Sequence, residues 1–146
     1  MNSPPEPALG GDSPALLGAP LRILHFSLGL GFALACVLNL AFGVAATGLA
    51  TGAAAAMMLV GWRICASGRF DLSAVVTFYT LAALLGALAV VGHGTRDYAL
   101  IALSAAVFAA SVFLRPVAYW SLAGSVVAGV VALGIAEAQG WFRPRP

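Results

Sequence analysis

From Leu21 to Ala138 the chain is almost continuously apolar, interrupted only by short clusters in which glycine or proline coincides with charge. A run of that length must be cut into spans of about 20 residues, which cross a ~30 Å hydrocarbon core at 1.5 Å per residue. The firm cuts fall at Ser67-Gly68-Arg69-Phe70-Asp71, at Gly92-His93-Gly94-Thr95-Arg96-Asp97 and at Arg115-Pro116. They predict helices over residues 21–46, 47–66, 72–92, 97–114 and 116–139. The first two have no charge between them. Only Gly43, Thr47, Gly48, Thr51 and Gly52 punctuate that stretch, and a tight hairpin between Thr47 and Gly52 is expected there. A single helix over 21–65 would be far too long to span once. The predicted fold is all-α: a polytopic transmembrane helix bundle of about five spanning helices.

Ahead of the apolar run, residues 1–20 hold five of the eight prolines (Pro4, Pro5, Pro7, Pro14, Pro20) with Glu6, Asp12 and Gly10-Gly11. Such a stretch does not repay its ordering entropy and reads as a disordered N-terminal tail. Its acidic start and the long apolar run after Arg22 are unlike a secretory signal, so the tail is expected to be retained. Residues 21–139 then form the transmembrane domain and 140–146 a short C-terminal tail.

Composition agrees. The 146 residues are 62% apolar and 8% charged, against about half and about a quarter in a soluble domain. So few charges cannot cover a folded surface in water, and the bilayer is the implied partner. A net charge of +2 from seven arginines, no lysine and five acids builds no basic stripe, which excludes a nucleic-acid binder. Cys36 and Cys65 sit in apolar surroundings without a C-x-x-C spacing, so they read as small core residues. The use of arginine without lysine, beside abundant alanine, suggests a GC-rich bacterial genome and hence a plasma (inner) membrane.

With the N-terminus in the cytoplasm, Arg22, Arg63, Arg69 and Arg115 fall inside, and Arg96, Arg143 and Arg145 outside. Five helices leave two arginines outside at the C-terminus, so either a short tail is tolerated or a sixth helix belongs after it. Trp62, Tyr119 and Trp120 then mark the inner interface, and Tyr98, Trp141 and Phe142 the outer one.

Candidate chemistry is sparse. His25 and His93 fall at opposite ends of their spans, about a membrane thickness apart, so both read as interfacial and they cannot ligate one ion. Glu137, one turn from Trp141, reads as an interfacial carboxylate rather than a relay. The two His, two Cys and five acids are scattered, so no catalytic residue, metal site or cofactor is expected and the chain is read as no enzyme. Polar residues within the spans include Asn39, Thr77, Tyr79, Thr80, Ser104, Ser111, Ser121 and Ser125, whose ordinary work is interhelical hydrogen bonding. Asn39, Thr77, Tyr79 and Thr80 are nonetheless candidates to line a small-ligand cavity, with His93 offered to a ligand outside. Small residues four apart, Gly48 with Gly52, Gly124 with Ala128 and Ser125 with Gly129, permit close helix approach.

From its second helix on, the chain resembles the N-terminal membrane regions of bacterial sensor histidine kinases and diguanylate cyclases. The resemblance rests on the inner turn Ala66-Ser67-Gly68-Arg69-Phe70-Asp71-Leu72 and the outer turn Gly92-His93-Gly94-Thr95-Arg96-Asp97-Tyr98. The inner turn Leu114-Arg115-Pro116 and the closing phrase Ala136-Glu137-Ala138-Gln139-Gly140-Trp141 complete it. It implies a sensor-type or anchoring module of a signal-transduction protein, with a transmitter protein as partner. Such regions continue into one more helix and a cytoplasmic transmitter; this sequence carries neither, and a module standing alone or a truncated or split piece is expected. The alternatives are a small structural or accessory subunit of a membrane complex and a small transporter.

Overall fold

The computed structural model describes residues 13–91 and 98–140, with side chains from residue 18 onward. Among the described residues all regular structure is helical: α1 (Ser13–Ala41), α2 (Ala45–Ala66), α3 (Phe70–Val91), α4 (Tyr98–Phe113) and α5 (Pro116–Ala138). Four of these are long and apolar enough to cross a membrane: α2, α3, α5 and the 24-residue stretch Gly18–Ala41 of α1. At 16 residues α4 is shorter; its rise of about 24 Å falls short of the ~30 Å core. The expectation of about five spans is thus met by five helices, four of spanning length. Their outward faces are apolar. Phe26, Leu30, Leu34 and Val37 on α1, Leu59 on α2, Ile101 and Phe108 on α4 and Val127 on α5 are all exposed, a surface suited to lipid.

Two boundaries depart from the sequence reading. The first helix starts at Ser13, so residues 13–20 belong to α1 rather than to a tail, while residues 1–12 lie outside the described residues. Pro14 stands at the first turn, where its missing N–H is no loss, and the exposed Pro20 is accommodated within the helix. The second departure is the α1–α2 hairpin, which turns at Phe42-Gly43-Val44 and not between Thr47 and Gly52. Gly43 takes φ +76°, its N–H donates to the Leu40 carbonyl, and the Val44 N–H reaches the Asn39 carbonyl. This is the glycine-terminated helix end in which a left-handed residue satisfies the last carbonyls. Gly68 (φ +81°) ends α2 in the same manner, with Arg69 N–H bonded to the Ile64 carbonyl. Residues 47–52 lie inside α2 because they serve packing instead. A Cβ at Gly48 would come within 2.8 Å of Leu40, and one at Gly52 within 3.0 Å of Cys36 Sγ, so these glycines set how closely α1 and α2 approach. Thr51 remains helical by donating its hydroxyl back to the Thr47 carbonyl at 2.9 Å.

α3 is the central helix and packs against the other four. Leu21, Cys65, Ala74, Phe78, Ala110, Leu114 and Leu122 form one buried cluster fed by every helix, with the Phe78 and Phe113 rings 5.8 Å apart beside it. This cluster lies toward the end of the bundle that carries Arg22, Arg63, Arg69 and Arg115. There Arg115 pairs with Asp71, joining the start of α5 to the start of α3 at an exposed surface. The looseness of the bundle lies with α4 and α5. α2 and α3 each bury six residues, whereas α5 buries only Leu122 and Leu133, and α4 only Leu103 and Ala110.

Candidate functional site

The arginine-rich half contains a buried polar cluster built across three helices. His25 on α1 is 2% exposed, and Ser73 and Thr77, one turn apart on α3, are fully buried. The His25 Nδ1–H donates to the Leu21 carbonyl at 2.6 Å, one turn back on its own helix. On the other side of the ring, Nε2 lies 2.6 Å from Thr77 Oγ1 and 3.3 Å from Ser73 Oγ. Ser73 donates its hydroxyl to the Gly61 carbonyl of α2 at 2.7 Å, and Thr77 reaches the Ser73 carbonyl at 2.8 Å. A side chain at residue 61 would occupy the space of the His25 ring, so only glycine lets α2 close over the imidazole. One turn nearer the helix ends, the buried Cys65 thiol faces the Gly18 carbonyl at 3.8 Å. The chemistry of this cluster is that of an imidazole held among hydroxyls and carbonyls inside an apolar bundle. In hydrocarbon, buried polar groups of this kind hold helices together and are the first candidates for function.

The opposite half contains a cleft of about 450 Å³ between α3, α4 and α5. Small residues line much of it: Ala82, Ala83, Gly86 and Ala89 on α3, Ser125 and Gly129 on α5, closed by Leu100, Leu103 and Leu133. A Cβ added at Gly86 or Gly129 would meet nothing within 4 Å, unlike those at Gly48 and Gly52. The same kind of residue therefore closes α1 on α2 and leaves α5 standing off α3. At the margin of the cleft nearer Arg115, the Tyr79 hydroxyl donates to Ser121 Oγ at 2.9 Å, a cross-link between α3 and α5.

The residues singled out from the sequence separate in space. Thr77 belongs to the His25 cluster and Tyr79 to the cleft. Residues two apart on a helix point about 200° apart, which carries these two into different surroundings. Thr80, half-buried, lies one turn beyond Thr77. Asn39 is half-buried near the far end of α1, its amide donating to the Ala35 carbonyl at 2.8 Å. Fourteen residues separate it from His25, about 21 Å of helix. His93 lies outside the described residues. His25, expected at an interface because it follows Arg22, is instead buried: α1 begins earlier, at Ser13, and presents this residue to α2 and α3. The spacing Gly18, Leu21, His25 was the signal that marks one face of the helix.

No family model, no curated protein and no solved structure matches the chain.

Proposed function

We propose that the chain is a multi-pass sensor-type or anchoring module of a bacterial signal-transduction protein, seated in the plasma membrane with its N-terminus in the cytoplasm and without catalytic activity of its own. In this reading α4 is a fifth crossing, the bilayer thinning or the flanking residues extending to meet its shorter length. A transmitter protein is the partner that receives the signal.

The observation supporting this is the contrast between the α1–α3 unit and α5. α1, α2 and α3 are tied by the hydrogen-bonded His25 cluster and by glycine-mediated contact, whereas α5 stands off α3 around an open cleft. A ligand shifts a conformational equilibrium only by binding its two states differently. A cleft lined by small residues, with room to close, offers such a difference to an apolar or amphiphilic molecule entering from the bilayer. Movement of α5 against the fixed three-helix unit would carry the signal to whatever follows α5, and Tyr79–Ser121 is the bond such a movement strains.

The test is a fusion of the chain, through one further apolar helix, to a kinase or cyclase domain whose output is read in cells. In a fusion that responds to a stimulus, Gly129→Leu, which fills the cleft, and Tyr79→Phe, which deletes the cross-link, are expected to change the output while the bundle stays folded. A responsive fusion indifferent to both would remove the proposed route and favour an accessory subunit of a larger membrane complex.

A further inference from the structure

The His25 cluster has more short polar contacts than a neutral imidazole can supply with protons. Four contacts lie between 2.6 and 2.8 Å: Nδ1 to the Leu21 carbonyl, Nε2 to Thr77 Oγ1, Thr77 Oγ1 to the Ser73 carbonyl, and Ser73 Oγ to the Gly61 carbonyl. Each needs one hydrogen between its two heavy atoms. A neutral His25 with the hydroxyls of Ser73 and Thr77 holds three hydrogens. Thr77 must then choose between Nε2 and the Ser73 carbonyl, and one contact becomes two lone pairs facing each other. The imidazolium holds a fourth. Nδ1–H then donates to Leu21, Nε2–H donates to Thr77, Thr77 donates to Ser73, and Ser73 donates to Gly61, so every acceptor in the chain receives one hydrogen.

We propose that the His25–Thr77–Ser73–Gly61 chain is a proton-binding site inside the membrane, which when occupied clamps α1 onto α3. The proton is taken from water onto the Nε2 lone pair and the bundle gains one positive charge. Release returns it, and the Thr77 hydroxyl rotates from the Ser73 carbonyl to Nε2. The site lies close to the end of α3. Ser73 is three residues from Phe70, the first residue of α3, about 4.5 Å of rise.

The ionisable groups of the surrounding helices leave the charge to be held by dipoles. On α1 and α2, Arg22 and Arg63 are exposed and Cys36 lies far along α1. Cys65, the buried ionisable neighbour, turns its thiol to Gly18. On α3, Asp71 is exposed and paired with Arg115, and Tyr79 is bonded to Ser121 on the other face. Arg69 is exposed in the turn, Tyr119 of α5 packs against the neighbouring apolar cluster, and Glu137 of α5 and Tyr98 of α4 stand at the opposite end. Carbonyls and hydroxyls are thus the partners His25 has, and this inference is independent of the cleft and of any sensor role.

The experiment is nitrogen NMR of the full chain in lipid nanodiscs, with ¹⁵N-labelled histidine and His93→Gln so that His25 alone reports. Histidine ordinarily changes charge between about pH 5 and pH 8. Across that range the two ring nitrogens are expected to pass from the doubly protonated pattern to the neutral Nδ1–H tautomer. Thr77→Val, which removes the acceptor for Nε2–H, is expected to weaken proton binding about tenfold, a shift of about one pH unit to lower pH; Thr77→Ser is expected to restore it. A single neutral tautomer throughout the range would overturn the proposal in the parent protein, whatever the folding of the variants. So would a titration that Thr77→Val leaves in place.

Discussion

Gly61→Ala should be among the most damaging single-methyl additions in the bundle. The new Cβ would meet Nε2 and Cδ2 of His25, a ring that is 2% exposed and held on both sides, by Leu21 through Nδ1 and by Thr77 through Nε2. The ring cannot retreat without giving up the Thr77 contact, and α2 cannot retreat without giving up Ser73 to the Gly61 carbonyl. Overpacking of this kind costs about 1–3 kcal/mol. Leaving a buried nitrogen or carbonyl unsatisfied adds about 1–3 kcal/mol. Alanine returns about 1 kcal/mol through its better helix propensity. The net loss is about 3 kcal/mol. Reversible unfolding in mixed micelles, followed by far-UV circular dichroism against the mole fraction of denaturing detergent, measures it directly. Gly86→Ala is the matched control: it is also a helical glycine, but its Cβ meets nothing within 4 Å, so it should be neutral or stabilising by up to about 1 kcal/mol. Equal stability of Gly61→Ala and the parent would refute the close α1–α2–α3 packing around His25. Equal damage from both substitutions would refute the distinction between the packed and open halves.

The exposed pair Asp71–Arg115 should matter little to stability: Asp71→Asn is expected to cost under about 1 kcal/mol in the same unfolding assay, and a larger loss would mean that the pair is shielded from water. In a chain with Cys36 and Cys65 replaced by serine and alanine, single cysteines at Ser67 and Val44 should label from opposite sides of the membrane with an impermeant thiol reagent. Those positions flank α2 at its two ends, and labelling of both from one side would overturn the hairpin.

Much of the architecture was legible because hydrocarbon imposes it. Uninterrupted apolar runs must be helices, since no water satisfies the backbone, and Gly68 and Arg115-Pro116 end or begin them for reasons of local geometry. The position of the α1–α2 turn is not legible, because Gly43, Gly48 and Gly52 look alike in a sequence. Only the neighbouring helix shows that Gly43 turns the chain while the other two face Leu40 and Cys36. The site was less legible still. In water an apolar stripe marks the face of a helix that turns inward. In a membrane the outward face is apolar too, so that contrast vanishes, and residue size and hydrogen bonding decide which side packs. Neither is a property of one helix. Ser73 and Thr77 form a site because Gly61 and His25 meet them from α2 and α1, and Gly129 borders a cleft because α3 presents Gly86 and Ala82 across from it rather than a filling side chain. The order of the helices follows from the chain's own chemistry; which polar group is buried against which, and where the bundle stays open, is decided by contacts between residues dozens of positions apart.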